Sequence, residues 1–516
     1  MRSLPRVLAA LAAAGALLAG PWAPVSGERA GPASLRQDLD RILADPRLAT
    51  ARAGVVVRAA GSGEVLYERD ASALMTPASN EKLLTAAAAF AILGPGHRFR
   101  TAVLAAGERD GSALRGDLVL KGTGDPTATA RAYDELAAKT AASGVRTVRG
   151  RLVADDTWFD DVRLGPFWAW DDEPYAYSAP ISALTVSPDE DYDAGAVIVT
   201  VRPGAAGRPA RVTLTPETGA VRIVNRATTG GTGSSITVDR AHGSAAITVS
   251  GSIAPGSPEV KRYMSVWDPT AYAADVFRRA LARHGVRITG PTVRRAAPAG
   301  ASELAARESA PLSAVAVPYL KLSNNMIAEI LVKSMGRKAE GAGTWAAGLR
   351  AMEGYLRGRG LTGLRATDGS GLSRADLVSP AHLARLLEAA RSEPWFPAFL
   401  AALPVAGDED RLTGGTLRSR MRGTPAAGNA RAKTGTLTSV SSLSGYVRSA
   451  GGEDLIFSIM LNHHLTAAPR DVEDAIAVRL ARFRRDEPAG GALTPRAPLR
   501  TAPGTAHVEC AWVKSC

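Results

Sequence analysis

The feature that most constrains the fold of this chain is a long central block with strand-type patterning, set between two regions with helical patterning. From about Phe99 to Val293, short β-type runs such as DLVLKG, AVIVTVRPG and AAITVSGS alternate with turns rich in glycine and proline. Such runs predict β-strands. Two segments within the block, Arg131 to Ala142 and Pro269 to His284, have helical spacing instead. We therefore expect a mostly β insertion of one or two small domains.

The regions on either side of the block predict helices and further strands. Residues 79–93 lack glycine and proline and stop at Gly94-Pro95, a pattern that predicts a helix. Helical patterning returns near Ser313, in LSAVAVPYLKL and MIAEILVKSM. The stretch SSLSGYVRSAGGEDLIFSIMLN predicts two strands joined by a Gly-Gly turn, and a helix follows it. At 516 residues the chain is also too long for one ordinary core, so we expect several domains.

The two ends of the chain have compositions that differ from the body. Arg2 and Arg6 precede an apolar run at 7–20, which is shorter than the roughly 20 residues of a membrane-spanning helix and is typical of a secretory signal. Residues after 486 are rich in Pro, Ala, Thr and Gly, which predicts a flexible tail. Both cysteines, Cys510 and Cys516, lie in that tail. The body therefore offers no cysteine nucleophile and no cysteine-rich metal site.

The formal net charge of +12 comes from arginines that are dispersed along the chain. No run of five like charges occurs, and few aromatic residues lie among the basic ones. Because nucleic-acid-binding segments usually show both features, we do not expect a nucleic-acid partner. Weak attraction to an anionic cell-wall polymer and simple solubility both remain open as readings of the charge.

Ser79 and Lys82, in TPASNEKLLT, lie three residues apart where a helix is predicted to begin. That spacing places both side chains on one helix face, about one turn apart. A lysine activates a serine hydroxyl only if it is kept neutral by burial or by a neighbouring cation. Of the nine lysines, Lys82 alone follows a serine at this spacing. The alternative is a capping serine followed by a solvated lysine.

Two later motifs have both a structural and a catalytic interpretation. In KLSNNMIAEIL, Ser323 and Asn325 interrupt two helical patterns. They either form an ordinary turn or direct a hydroxyl and a carboxamide into a cleft. In ARAKTGTLTSV, Lys433 and the three residues after it, Thr434, Gly435 and Thr436, lead into a strand. This is either a soluble sheet edge or a strand that binds an extended substrate.

Other hydrolase classes lack their motifs in this sequence. The seven histidines are scattered, no H-E-x-x-H occurs, and His463 and His464 are adjacent. G-x-S-x-G, which marks many Ser-His-Asp hydrolases, is also absent. We therefore expect neither a metal nor another cofactor.

Taken together and in this order, S-x-x-K, S-x-N and K-T-G resemble the motifs of the penicillin-binding protein and serine β-lactamase superfamily. Ser79 and Ser323 are 244 residues apart, far more than in a β-lactamase. The stretches TPASNEKLLT, DLVLKGTGDPT, YSAPISALTV, DGSGLSR, LPVAG and GTPAAGNARAKTGTL resemble the low-molecular-mass class C penicillin-binding proteins. These are the D-alanyl-D-alanine carboxypeptidases/endopeptidases of peptidase family S13. The resemblance runs from about Ser34 to Phe483.

The resemblance implies an α/β fold, in which a serine β-lactamase/transpeptidase-like domain has a mainly antiparallel sheet flanked by helices and carries a large β-rich insertion. The boundaries that we expect are a signal peptide at 1–27, a catalytic domain at 28–97 and 300–486, insertion domain II at 98–187 and 262–299, insertion domain III at 188–261 and a flexible tail at 487–516.

The resemblance also implies roles for the motif residues. Ser79 would be the acylated nucleophile and Lys82 its general base, with Lys433 helping to keep Lys82 neutral. Ser323 would pass a proton to the leaving D-alanine, and Asn325 would bind the donor peptide and orient Lys82.

The K-T-G segment would bind the substrate. Thr434 and Thr436 would hold its terminal carboxylate, with Gly435 between them. The backbone N–H groups of Ser79 and Thr436 would form the oxyanion hole.

A side pocket that receives the free end of a diaminopimelate side chain is the remaining expectation for the site. Local motif matches nominate Asp156, Arg374 and Leu437, with Asp155 as an alternative to Asp156. Asp156 as a turn residue and Arg374 as a structural partner of Asp368 are the competing interpretations. A departure from the family pattern is Glu81, inside S-x-x-K, which we expect to point away from the Ser79/Lys82 face and to have little effect.

The function implied is that of a secreted serine D-alanyl-D-alanine carboxypeptidase, with D,D-endopeptidase action as a further expectation. Its partners would be peptidoglycan stem peptides, with β-lactams as covalent inhibitors, outside the cytoplasm and without stable membrane insertion. The alternative is a non-catalytic wall-binding or penicillin-sensing protein of the same fold.

Overall fold

The computed structural model describes residues 30–487. The predicted signal peptide and almost all of the predicted tail, including Cys510 and Cys516, lie outside the described residues. Within that range, no helix has both the length and the apolar character that crossing a membrane would require.

The described residues form eleven α-helices and twenty strands. The helices are α1 (Ala30–Leu43), α2 (Glu81–Ile92), α3 (Ala130–Ala142), α4 (Pro269–Arg283), α5 (Leu312–Lys321), α6 (Asn325–Glu340), α7 (Trp345–Arg357), α8 (Pro380–Ala390), α9 (Phe396–Ala402), α10 (Arg411–Gly414) and α11 (Arg470–Arg482). The strands are β1 (Arg52–Ala59), β2 (Val65–Arg69), β3 (Arg100–Asp110), β4 (Ala113–Gly122), β5 (Thr147–Val148), β6 (Leu152–Asp155), β7 (Ala196–Arg202), β8 (Arg211–Thr215), β9 (Arg222–Asn225), β10 (Thr228–Thr229), β11 (Thr237–Arg240), β12 (Ala246–Ser250), β13 (Ser252–Ile253), β14 (Val260–Ser265), β15 (Arg287–Ile288), β16 (Thr292–Arg294), β17 (Ser302–Glu308), β18 (Arg431–Leu437), β19 (Val440–Arg448) and β20 (Asp454–Asn462).

The two ends of the described chain share one five-stranded antiparallel sheet, in the order β18-β19-β20-β1-β2. Strand β1 therefore lies between its hairpin partner β2 and the late strand β20, with Val55 opposite Ile459. Side chains alternate between the faces of a strand, so Val55 and Val57 enter one core and Val56 enters the other. Burial on both faces explains the continuous apolar run in β1.

Helices cover both faces of this sheet. On one face α1 packs against α11, bringing Leu35 and Leu39 into the same core as Ile476 and Leu480. The other face carries α2, α5, α6 and α8. The helix predicted from residue 79 begins as a 3₁₀ turn at Ala78–Asn80, and α2 follows it directly.

The insertion is built on a seven-stranded sheet that contains the path β15-β5-β4-β3-β17, with β6 and β16 paired at its side. Helices α3 and α4 pack against this sheet. Strand β17 pairs with β3, so the expected boundary at residue 300 falls before the last strand of the insertion sheet. The run SELAARE has no β-branched or aromatic residue, so its sequence does not predict a strand.

The rest of the insertion consists of three small sheets, β14-β7-β8, β11-β12-β9 and β10-β13. Their apolar side chains, including Val199 and Ile247, belong to the same core as Leu118 of the large insertion sheet. A division into insertion domains II and III remains a prediction, because one continuous core spans both.

Candidate active site

Lys82 is the centre of the hydrogen bonds that join the first two motifs. Its Nζ lies 2.8 Å from Oγ of Ser79, 2.7 Å from Oδ1 of Asn325 and 2.7 Å from the carbonyl oxygen of Ser370. All four residues are buried. The two carbonyl-type oxygens can only accept, and together they satisfy two N–H groups of a neutral amine. Its lone pair would then face the Ser79 hydroxyl, an arrangement that can remove the proton of that hydroxyl.

The nucleophile turn is held in a conformation that most residues avoid. Ala78, directly before Ser79, has φ +48°, in the left-handed region. Gly371 lies against this turn with φ +77°, and a Cβ at that position would meet the carbonyl oxygen of Ala78 at 1.8 Å. The close approach brings the DGSGLSR segment next to the nucleophile, which explains how Ser370 reaches Lys82.

The S-x-N motif forms the turn between α5 and α6. Ser323 has φ +57°, and Asn324 caps α6 by accepting a hydrogen bond from the N–H of Ile327 at 3.0 Å. Asn325, the first residue of α6, donates from Nδ2 to the carbonyl oxygen of Tyr177 at 2.8 Å. The predicted turn between two helices is therefore confirmed, and it directs both Ser323 and Asn325 toward lysines.

The K-T-G motif lies on β18, where Lys433 meets the second motif. Nζ of Lys433 donates to Oγ of Ser323 at 2.7 Å, across 110 residues of sequence. The hydroxyl of Thr434 donates to Oγ1 of Thr416 at 2.8 Å. Thr416 follows the paired glycines of TGGT, and no sequence motif predicted a role for it. A short T-G-G-T stretch carries no distinctive signal in the sequence.

Gly435 lets β18 lie directly against the nucleophile turn. A Cβ at this position would meet Oγ of Ser442 at 2.3 Å, the carbonyl oxygen of Pro77 at 2.9 Å and the backbone nitrogen of Ser79 at 3.0 Å. Asn80 fixes the same contact, because its Nδ2 donates to the carbonyl oxygen of Lys433 at 3.1 Å. Strand and turn are thus held at a separation that only glycine allows.

Two of the three predicted side-pocket residues lie beside this site. Leu437 packs with Ala78 and Tyr177. Arg374 is exposed and donates from Nη1 to the carbonyl oxygen of Thr438 at 3.1 Å, immediately after Leu437.

Asp156 is not brought to these residues. Its Oδ2 accepts hydrogen bonds from Oγ1 of Thr270 at 2.5 Å and from Nε of Arg294 at 2.7 Å, both within the insertion. Asp155, the alternative, pairs with Lys121 at 3.1 Å and is likewise occupied in the insertion. The ADDTWF match thus leads to carboxylates that hold the end of β6 to neighbouring residues of the insertion.

Asp172, which no sequence motif nominated, is joined to Tyr177 of the same group, and the charge of Arg374 acts on its carboxyl. Tyr177 donates from its hydroxyl to Oδ1 of Asp172 at 2.7 Å. Burial raises the pKa of Asp172, while the Tyr177 hydrogen bond and the charge of Arg374 act in the opposite direction. The available signal was the acidic run in WDDEPY, which directly precedes the family-like stretch YSAPISALTV.

Glu81, which was expected to point away from the Ser79/Lys82 face, lies in the protein interior. Its side chain is fully buried, and no group in the described part of the chain donates a hydrogen bond to either carboxyl oxygen. Burial raises the pKa of Glu81 well above its ordinary value, and the charges of Asp368 and Glu329 raise it further, whereas Lys82 acts to lower it. A buried charged carboxylate with no hydrogen-bond donor would be very costly, which favours the protonated form of Glu81.

An acidic loop of the insertion braces the S-x-N turn. Among the described residues, the carboxylates of Asp189, Asp191 and Asp193 form a group close enough to suit a cation. Asp191 is ion-paired with Arg411, and Nδ2 of Asn324 donates to the carbonyl oxygen of Asp191 at 2.9 Å. These contacts give the loop a structural role: they hold the turn that carries Ser323.

Sequence comparisons agree with the motif pattern. The model of the D-Ala-D-Ala carboxypeptidase 3 (S13) family matches residues 35–483. A D-alanyl-D-alanine carboxypeptidase of Actinomadura sp. (strain R39) is 48% identical over 489 residues, covering 93% of this chain and 90% of that protein. The D-alanyl-D-alanine carboxypeptidase DacB of Haemophilus influenzae is 26% identical over 419 residues, and the match covers 80% of this chain and 86% of that protein.

Structural comparison supports the same fold. Penicillin-binding protein 4 (dacB) from Haemophilus influenzae superposes with a TM-score of 0.76 at 24% identity, covering 86% of this chain and 99% of that one. The expected α/β transpeptidase-like fold with a large insertion is therefore confirmed. The chain belongs to the D-Ala-D-Ala carboxypeptidase 3 (S13) family and is a serine-type carboxypeptidase.

Proposed function

We propose that this chain releases the terminal D-alanine of peptidoglycan stem peptides by transferring the acyl group to Ser79. The observation that carries the proposal is the contact of the Lys82 Nζ with Oγ of Ser79, while Asn325 and Ser370 accept hydrogen bonds from the same amine. A lysine with these partners is placed to act as a general base.

In the acylation step, Oγ of Ser79 attacks the carbonyl carbon of the D-Ala–D-Ala bond and gives its proton to Lys82. Negative charge develops on the carbonyl oxygen, and the backbone N–H groups of Ser79 and Thr436 are the donors that we assign to it. The closeness of β18 to the Ser79 nitrogen at Gly435 favours this pairing. One such donor is typically worth about 3 kcal/mol of barrier.

The leaving D-alanine needs a proton on its nitrogen and a partner for its carboxylate. We assign the proton transfer to Ser323, whose hydroxyl accepts a hydrogen bond from Lys433. Thr434 and Thr436, with the charge of Lys433, would bind the carboxylate, and the Thr434 hydroxyl would turn its proton from Thr416 to the carboxylate when substrate binds. The proton that Lys82 took from Ser79 then passes to Ser323, which restores neutral Lys82. Water attacks the acyl carbon and gives a proton to Lys82, and Ser79 takes that proton as it leaves.

The side pocket formed by Asp172, Tyr177, Arg374 and Leu437 is our candidate for recognition of the stem-peptide side chain. The free end of a diaminopimelate side chain carries both an ammonium group and a carboxylate. Asp172 and Arg374 offer the complementary charges, and Tyr177 with Leu437 offers an apolar surface for the methylene groups. Asp172 takes the place that we had expected for Asp156.

We extend the proposal to D,D-endopeptidase action on cross-linked stem peptides and to covalent inhibition by β-lactams. In a cross-link, the leaving amine belongs to a second stem peptide instead of free D-alanine, and the same acyl-enzyme forms. Peptidoglycan lies outside the cytoplasmic membrane, so we place the enzyme there.

The test is D-alanine release from a pentapeptide ending in D-Ala-D-Ala, measured with wild type and Ser79→Ala. We expect release by the wild type, its suppression by benzylpenicillin, and neither release nor labelling by fluorescent penicillin in Ser79→Ala. Labelling of the wild type without any D-alanine release would favour the non-catalytic, penicillin-sensing alternative. Persistent labelling of Ser79→Ala would refute the nucleophile assignment.

A further inference from the structure

A buried ion pair connects the β-rich insertion to the segment that carries the side pocket. Arg240, at the end of β11, donates from Nη1 to Oε1 of Glu173 at 2.9 Å and from Nη2 to the carbonyl oxygen of Glu173 at 2.8 Å. Their side chains are only 1% and 2% exposed. Because charges this deeply buried need well-defined partners, the pair fixes both the side chain and the main chain of Glu173.

Other contacts from the insertion hold the same short segment. The backbone N–H of Gly243 donates to Oε1 of Glu173 at 3.0 Å, and the ring of His242 lies against the other carboxylate oxygen. The N–H of Ser265, in β14, donates to the carbonyl oxygen of Pro174 at 2.9 Å. The segment is therefore held along the edge of β14.

The residues next to Glu173 lead directly to the catalytic centre. Asp172 precedes it in the chain and accepts a hydrogen bond from the hydroxyl of Tyr177. The carbonyl oxygen of Tyr177 accepts a hydrogen bond from Asn325, which in turn accepts one from Lys82. A displacement of Glu173 would thus move Asp172 first, because consecutive Cα atoms are about 3.8 Å apart.

We infer that Arg240 is a positioning residue for the side pocket: by holding Glu173, it sets the location of Asp172. The β-rich insertion would then take part in selecting the stem-peptide side chain. This inference rests on the proposed function, since it takes Asp172 and Arg374 as the groups that bind the end of that side chain. Ser79 and Lys82 are held by contacts that do not include Arg240.

The variants must separate positioning from folding. Replacing Arg240 alone with an apolar residue would leave the buried carboxylate of Glu173 without its cation, a change that often prevents folding. We therefore choose the double variant Arg240→Met/Glu173→Gln, which removes both charges at similar volume, together with Arg240→Lys. The matched control is Arg283→Met. It breaks the ion pair of Arg283 with Asp134, 2.8 Å long, which also lies in the insertion but is more exposed and does not involve residues 172–177.

The measurement is kcat/KM for D-alanine release from two stem peptides that differ only in acetylation of the side-chain amine. We expect wild type and Arg283→Met to prefer the free amine. In the double variant this preference should fall by about 10- to 100-fold, mainly through KM, whereas benzylpenicillin acylation falls much less. Arg240→Lys, which keeps the charge but not the fork of donors, should lie between them.

An unchanged preference in the double variant would overturn the inference. Equal losses on both peptides and on penicillin would also overturn it, because they would show a general structural role. A wild-type enzyme that treats both peptides alike would refute the side pocket, and the inference with it, while acyl transfer at Ser79 would stand. Absence of D-alanine release from either peptide would refute the proposed function itself.

Discussion

At the scale of single residues, spacing predicted the contact between Ser79 and Lys82 but not what surrounds it. A separation of three residues places two side chains on one helix face whatever the rest of the chain does. The surroundings depend on tertiary packing. Glu81 is therefore fully buried, and burial and the charge of Asp368 raise its pKa, although spacing gave only the direction of its side chain. Asp172, which we propose for the side pocket, had no motif either, since Arg374, whose charge acts on it, is some 200 residues further along the chain.

The buried acid at residue 81 predicts a dependence of stability on pH. The folded state raises the pKa of Glu81 above its unfolded value of 4.5, so the folded state keeps a proton that the unfolded state loses as pH rises above 4.5. The free energy of unfolding therefore falls over that range. Glu81→Gln, which stays neutral, should raise Tm at pH 7.5 and have little effect near pH 4.

The control for this prediction is Glu135→Gln, on the exposed side of α3, for which we expect no such trend with pH. The measurement is thermal unfolding of both variants and the wild type across pH 4 to 8. A Tm difference for Glu81→Gln that is the same at every pH would contradict the protonated state assigned to Glu81.

At the scale of elements, the sequence predicted most helices and strands where their patterns were strong. The helix at 79–93, the hairpin in the last third and the turn at Ser323 are confirmed. Strand β17 was not predicted because its residues have low strand propensity. It forms by pairing with β3, which lies about 200 residues earlier in the chain. The patterns alone did not predict that β18 lies against the nucleophile turn, since a glycine signals a close approach without identifying the partner; only the family resemblance implied it.

Gly435→Ala tests the contact between β18 and the nucleophile turn. The added methyl group would lie 3.0 Å from the Ser79 nitrogen and 2.3 Å from Oγ of Ser442, so the strand must shift. A shift of this kind should slow acylation by penicillin about 100-fold, because it displaces the two N–H groups that we propose as oxyanion donors. The measurement is the second-order rate constant of acylation.

Gly354→Ala is the matched control, since a Cβ at that position in α7 meets no atom within 4 Å. We expect normal acylation and a gain in stability of about 0.5–1 kcal/mol from the higher helix propensity of alanine. Acylation of Gly435→Ala at the wild-type rate would show that the strand and the turn do not depend on their close contact.

At the scale of the whole molecule, the three motifs form one centre although they are far apart in the sequence. Lys82 joins the first motif to Asn325, and Lys433 joins the third motif to Ser323. The family resemblance predicted that the motifs meet in one site. Without it, each motif could equally be explained as a helix cap, a turn or a sheet edge. We propose that the insertion ends after β17, near residue 308, and that its ion pair with the pocket segment joins it functionally to the catalytic body.

The central claim is that this centre acylates at Ser79, and mapping the covalent adduct of benzylpenicillin by mass spectrometry tests it most directly. Trypsin should release residues 70–82, which contain Ser72 and Ser79. We predict one adduct per molecule, on this peptide, with fragment ions that place it on Ser79. An adduct on any other residue, or no adduct on a folded protein that releases D-alanine, would contradict the account.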